Sequence, residues 1–495
     1  MRACVFIVSI FVTYMFCACG KQAIDLVPGS VYAVTTTEGE GFASFEHTAD
    51  NQWKGVYYLS EGKLMADRKE VFLKVGKELI LEDNTGKQIP LLRYEKYEEP
   101  IFHDYSPTWT YQDSAYTVTS QKDVVYGHAR GYWTSYPDTG GTIYEIFEAR
   151  KSDLDQGERE LELTMDVFQP NDDKDASRPL LVLIHGGAFF NGDKTDLGFP
   201  TWAQSFASMG YVVASVNYRL GFKKNITSVK RAGFRAVQDV DAAIRYLVHH
   251  KNIYGIDSER IFVAGTSAGA ITALNVAFMR NENRPSEVES EGEIQSINPE
   301  MKESYNIRAI GNLWGAVDDL SMLDNAPASV ISFHSTYDPV VPFGKGYPFT
   351  NIFLNWLFFP TMYGSAMITD YLGSQRAVLK SYDLPERHTL HIDEDVNGEK
   401  TLNSRFYEIE AAMRDYFSST MLPSPITVRH THRSQTFSVT SPDLDSVFWC
   451  VEGGALLKNH NSRVDVLLFP DAPSHSVTVC GKYKSGLTFR HRWNL

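Results

Sequence analysis

Two hydrophobic periodicities alternate along the chain. Over residues 23–150, short runs such as residues 30–34 and 56–59 stand between Gly, Asn and Asp turns, Asn84-Thr85-Gly86 among them. β-favouring runs broken by turn residues predict an all-β region. From residue 161 the pattern changes. Residues 161–168 alternate as a strand does, and residues 180–184 are wholly apolar, as in a parallel strand buried on both faces. Residues 202–209 suit a helix and 211–216 a second buried strand. Over 231–248, Ala236, Val240, Ala243 and Leu247 share one helical face. Residues 261–264, 330–333 and 377–382 predict further strands, with a helix from Ala268 and a closing amphipathic helix over 408–417. Strands alternating with helices imply βαβ units and a doubly wound, mostly parallel sheet. After Met421 short β-like runs return at 437–440, 447–451, 464–469 and 476–479, predicting a small Ig-like β-sandwich.

This divides the chain into a leader at 1–19, a β-rich N-terminal domain at 23–150, an α/β domain at 151–421 and a β-domain at 422–495. Residues 281–305 are polar and acidic, which predicts a surface insertion. Residues 348–363 are aromatic and either cap a site or pack as core. No solenoid or propeller repeat is present.

Composition narrows the class. The 495 residues are 43% hydrophobic and carry a net charge of -14, with no basic stripe to neutralise a nucleic-acid backbone. Arg2, a short apolar run and the small residues around Cys17-Ala18-Cys19-Gly20 read as a signal peptide, too short to span a membrane comfortably. The end of the run resembles a bacterial lipobox, with Phe16 where Leu is preferred. That implies lipid on Cys19 and export to the periplasm or cell surface, the lipid being the sole membrane attachment; ordinary cleavage near Gly20 and release as a secreted protein is the alternative. Cys450 and Cys480 are the two cysteines outside the leader, and export makes them a candidate disulfide.

Gly265-Thr266-Ser267-Ala268-Gly269 follows one predicted strand and opens a helix. Such a turn needs small residues beside Ser267 and projects its hydroxyl near the positive end of the helix. Upstream, His185-Gly186-Gly187-Ala188 follows the buried strand at 180–184. Backbone N–H groups of Gly186, Gly187 and Ala268 are candidate donors to an oxyanion, each typically worth ~3–4 kcal/mol. Residues 187–195 nearly spell a phosphate-binding loop, but Asp193 intervenes between Gly192 and Lys194, which excludes nucleotide binding. Asp338 follows the strand at 330–333, at the sheet edge where catalytic groups gather. Ser267 as nucleophile and Asp338 as acid leave His388 or His391 as base. Pro385 ends strand pairing before His388, which favours His388, while His391 reads as a packing residue.

Together these motifs resemble the bacterial carboxylesterases and feruloyl-esterase-like enzymes. Asn191-Gly192-Asp193-Lys194, residues 217–221 and residues 238–243 match as well, and the resemblance covers about residues 161–421. Ala188 and Ala270 stand where the family often has glycine. The resemblance implies an α/β-hydrolase fold and a serine esterase without cofactor or metal, acting on small or carbohydrate-linked esters such as acetyl or feruloyl esters. A catalytically inactive adhesion module and a serine peptidase on the same fold are the rivals. His430 and His432 read as exposed strand histidines, not metal ligands. Trp53, Tyr57 and Tyr58 read as core, with a sugar platform as the alternative.

Overall fold

The apolar run at residues 180–184 lies where its composition requires, inside a large sheet. The computed structural model describes residues 26–28, 30–50, 52–60, 63–97, 111–137, 143–171, 177–350, 352, 355–422, 426–430, 435–484 and 487–495. The chain divides into two units, one of Met1–Tyr105 with Pro423–Leu495 and one of Ser106–Leu422.

The Ser106–Leu422 unit is built on eight strands: β1 Val118–Gly131, β2 Arg159–Pro170, β3 Arg178–Ile184, β4 Val212–Val216, β5 Ile256–Thr266, β6 Ile307–Leu313, β7 Ser329–Ser335 and β8 Ala377–Tyr382. They lie in the order β1-β2-β4-β3-β5-β6-β7-β8. β1 and β2 are antiparallel to their neighbours, and β4 through β8 run parallel. Five helices matter to the site: α1 Phe199–Ser208, α2 Ile226–His249, α3 Ala268–Phe278, α4 Ser365–Leu372 and α5 Ser404–Met421. Every residue of β3 is buried. Leu180, Val182 and Ile184 pack into one core with Val240 and Ala243 of α2 and Leu274 of α3. On α5, Phe417 packs against Phe206 of α1 and Phe262 of β5, at 6.3 and 4.8 Å between centroids. This is an α/β-hydrolase fold.

Three sequence expectations shift here. The turn-rich pattern predicts a boundary near residue 150, but β1 pairs along β2 within the α/β sheet, and the division falls after Tyr105. The helix predicted over 231–248 begins earlier, because the Asn225 side chain caps it by accepting from the Ser228 amide. The polar segment at 281–305 is not merely a surface insertion. It buries Val288, Ile294 and Ile297, and its carbonyls accept from Arg245 and Gln238 of α2.

The other unit opens with a closed six-stranded antiparallel barrel, Val31–Thr36, Gly39–His47, Trp53–Leu59, Asp67–Val75, Leu79–Asp83 and Gln88–Lys96. Alternation sorts its aromatics. Tyr57 joins Tyr32 and Phe45 in one core cluster. Tyr58 joins the other, stacking on Phe469 at 4.3 Å, and its hydroxyl donates to Asp471 at 2.8 Å. Both tyrosines are core residues, not a sugar platform. The C-terminal strands form sheets of four and three. Trp449 is buried and donates its ring N–H to the Asn461 carbonyl at 2.6 Å.

Cys450 faces Thr478 and Cys480 faces Phe448 across adjacent strands. The two cysteines are therefore diagonal neighbours, a relation that spaces Cα atoms roughly 7–8 Å apart, beyond normal disulfide reach. The structure holds both as thiols, so the expected bridge does not form in this register. Of His430 and His432, the first stacks on Phe437 at 4.0 Å and the second lies outside the described residues. Cys19 also lies outside them. Among the described residues no helix is long and apolar enough to cross a membrane.

Candidate active site

The turn after β5 is dictated by close packing. A Cβ on Gly265 would meet the Gly269 carbonyl carbon at 2.5 Å, and one on Gly269 would meet the Ile184 carbonyl oxygen at 2.1 Å. Only glycine fits at either place. Between them Ser267 takes φ 52, ψ -118, a strained conformation for a residue with a side chain, costing ~1–3 kcal/mol. Its amide donates to the Leu313 carbonyl at 2.9 Å, which fixes the turn to the end of β6.

Ser267 Oγ lies 2.9 Å from His388 Nε2, and His388 Nδ1 lies 2.7 Å from Asp338 Oδ2. Nδ1 facing a carboxylate carries the proton, leaving Nε2 to accept from the serine hydroxyl. Asp338 stands in the loop after β7, where the amides of Val340 and Val341 donate to Oδ1 at 2.8 and 3.0 Å. Burial pushes its carboxyl up. Hydrogen bonds from His334 and His388 more than reverse that and hold it well below the usual carboxylate range. The structure thus brings Ser267, Asp338 and His388 into one chain of hydrogen bonds.

His391 sits elsewhere. It is buried, stacks on Trp202 at 5.2 Å and lies 5.3 Å from the Trp314 ring. Burial depresses its imidazole to about 3, so it is neutral and reaches neither Ser267 nor Asp338 by any described hydrogen bond.

The oxyanion side is equally built. A Cβ on Gly186 would lie 3.4 Å from Ser267 Cβ, so this loop passes directly over the nucleophile. His185, fully buried, stacks on Tyr218 at 4.4 Å, and the Tyr218 hydroxyl donates to the carbonyls of His185 and Gly186 at 2.8 and 3.1 Å. Desolvation lowers His185 to about 4. No described backbone carbonyl accepts from the amides of Gly187, Ala188 or Ala268. Arg219 anchors the chain after Tyr218 by pairing with Asp239 at 2.7 Å and Gln238 at 2.9 Å on α2. The matched segments at 217–221 and 238–243 are thus one buried brace. Lys194 pairs with Asp166 at 2.7 Å and Asp123 at 2.9 Å, which leaves no phosphate-binding lysine.

Two residues, His334 and Trp314, escaped sequence reasoning. His334 places Nε2 at 3.3 Å from Asp338 Oδ2 and at 3.2 Å from the Val341 carbonyl. Its Nδ1 lies 2.8 Å from the Ser365 hydroxyl. Nε2 faces two acceptors and therefore carries the proton. Its place four residues before Asp338 was the available signal. Trp314, buried at φ 47, puts its ring 6.3 Å from that of His388. Ala188, at φ 53, lines the space on both sides of Ser267. The 348–363 stretch is neither core nor exposed cap alone: Phe349 walls that space, Phe359 is buried and Trp356 is 53% exposed.

Residues 165–337 match the BD-FAE family model. Gut esterase 1 of Caenorhabditis elegans is 33% identical over 120 residues, 23% of this chain and 21% of that protein. The probable carboxylic ester hydrolase LipM of Mycobacterium tuberculosis is 24% identical over 269 residues, 48% of this chain and 59% of that protein. The chain spans about a fifth of the length of Gut esterase 1. Among solved structures, Thermogutta terrifontis esterase 2 phosphorylated by paraoxon aligns over 53% of this chain and 90% of its own, at 20% identity and a TM-score of 0.37.

Proposed function

We infer that this chain, whose Ser106–Leu422 unit is an α/β-hydrolase of the serine esterase family, hydrolyses carboxylic esters through an acyl-Ser267 intermediate. The observation that carries the reading is the chain of hydrogen bonds from Asp338 through His388 to Ser267. Ser267 Oγ attacks the ester carbonyl carbon and its proton passes to His388 Nε2. The oxyanion is met by amides of the 186–188 loop and of Ala268 at the positive end of α3. When the intermediate collapses, the carbon–oxygen bond to the alcohol breaks and His388 returns the proton to the departing oxygen. Water, deprotonated by the same imidazole, then releases the acid and restores Ser267. The buried Asp338 carboxylate holds the imidazole in one tautomer and stabilises its charged form.

The finer reading is an exported enzyme acting on acetyl or feruloyl esters of carbohydrates. The polar side chains that line the space around His388, Asn191, Asp196, Thr389 and Lys400 among them, support a hydroxyl-rich alcohol portion. Lipid on Cys19 is part of this proposal, and mass spectrometry of the mature N-terminus tests it. The C-terminal β-region is read as Ig-like, supported by its four-plus-three strand order and by the buried Trp449 on the first strand of the smaller sheet. A binding module without chemistry has no use for an ordered Asp-His-Ser chain. Stopped-flow mixing with p-nitrophenyl acetate tests the mechanism: a p-nitrophenol burst approaching one equivalent, with acetyl on Ser267 by peptide mass spectrometry, is expected when deacylation limits turnover. Acetyl on another side chain, with Ser267 unmodified, overturns the reading.

A further inference from the structure

The space around Ser267 is split in two. One part, ≈ 320 Å³, is lined by Gly186, Gly187, Trp314 and His388 as well as Ser267. The other, ≈ 120 Å³, shares Ser267 and Ala188 but does not reach His388. Expulsion of the alcohol takes a proton from His388 Nε2, so the alcohol leaves on the His388 side. The acyl group must extend the other way.

The second cavity follows α3. Ala268, Ile271 and Asn275 line it at intervals of three and four, one helical face that runs about 10 Å along the axis. Val229, Phe234 and Val237 of α2 form the facing wall. Apart from the Asn275 side chain these walls are apolar, and the charged side chains on the lining are Lys230 and Asp318. Lys230 Nζ pairs with Glu287 at 2.7 Å. The chain that carries Asp318 packs its Gly315 against Ala270 and bonds Asn325 to the Phe278 carbonyl at 3.0 Å. It therefore runs alongside α3 and sets Asp318 beyond the helix's first turn. Burial pushes the Asp318 carboxyl up against the opposing charge of Lys230. Lys230 is engaged by Glu287, whereas among the described residues no side chain donates a hydrogen bond to Asp318. In either protonation state that carboxyl offers an acceptor oxygen at the end of an apolar tube.

We propose that this cavity binds the acyl group and that Asp318 determines its specificity, selecting esters of elongated apolar acids that carry a hydroxyl group at the far end. The inference rests on the ester-hydrolysis reading. The hydroxyl of the acyl chain donates to Asp318, and the chain before it displaces water from the α2–α3 walls. A net hydrogen bond of ~0.5–1.5 kcal/mol corresponds to about 2- to 12-fold in kcat/KM.

The full-length protein and its Asp318→Asn and Asp318→Leu variants are to be compared on p-nitrophenyl acetate, octanoate and ω-hydroxyoctanoate, with thermal midpoints recorded alongside. The wild type should favour ω-hydroxyoctanoate over octanoate by that factor. Asp318→Asn, which keeps an acceptor oxygen, should retain part of the preference, and Asp318→Leu should reverse it. The proposal is overturned if the wild type shows no preference, or if Asp318→Leu lowers all three esters by one factor. Absence of acetate hydrolysis by the wild type would instead refute the esterase reading itself.

Discussion

His388 and His391 stand three residues apart, yet their surroundings give them opposite roles. His388 bridges Ser267 and Asp338, whereas His391 is stacked among Trp202, Trp314 and Phe406 and held neutral. His391→Phe should therefore retain most turnover on p-nitrophenyl acetate, while His388→Ala loses it. The same substitution has a consequence for stability. His391 and His185 are depressed to about 3 and about 4 from 6.5, so below pH 6.5 the unfolded chain takes up protons that the folded chain refuses. Stability then falls as pH falls from 6.5 toward 4, by ~1.4 kcal/mol per pH unit for each such group. Asp193, lowered to about 2, and Asp338 act in a separate window: their contribution is present above 3.8 and lost as pH drops below it. Urea midpoints at pH 7 and pH 5 should converge in His391→Phe relative to the wild type. An unchanged difference between the two pH values would contradict this account of His391.

At the level of elements, catalytic groups arrive at the ends of β3, β5, β7 and β8, and each loop is fixed by a bond to its neighbour. The β7 loop shows how. His334, inside the strand, touches Asp338 on one side and Ser365, the first residue of α4, on the other. It is a positioning residue: it reaches the chemistry only through Asp338. Replacing it by Phe removes a donor that helps hold Asp338 below the ordinary carboxylate range, so the Asp338 pKa should rise. With the carboxylate less firmly held, kcat should fall roughly tenfold with KM little changed, about the worth of one hydrogen bond to a charged group. His334→Asn, with a donor of similar reach, should restore part of it. A rise in KM matching the fall in kcat, with no rescue by His334→Asn, would reduce His334 to a packing residue.

Across the whole molecule, local pattern was legible and long-range pairing was not. The all-apolar run of β3, the elbow at Ser267 and the strand at 377–382 stand where periodicity and glycine placement put them, because each signal lies within a dozen residues. The closed barrel, the membership of β1 in the α/β sheet and the Asp338–His334 contact depend on partners chosen by packing, which composition does not encode. A fragment beginning at Leu161 removes an edge strand that pairs from Val118 to Gly131, whereas Ser106–Leu422 keeps the sheet and every proposed catalytic residue. The longer fragment should fold cooperatively and turn over p-nitrophenyl acetate near the full-length rate; a folded but inactive fragment would show that the flanking β-regions complete the site. The central claim, that Ser267 is the nucleophile of an ester hydrolase, is tested most directly by the steady-state rate of full-length Ser267→Ala on p-nitrophenyl acetate. The account predicts an unchanged fold with the rate reduced toward the uncatalysed background, a loss on the order of 10⁶ where the assay allows it to be seen. A variant within tenfold of wild type would contradict it.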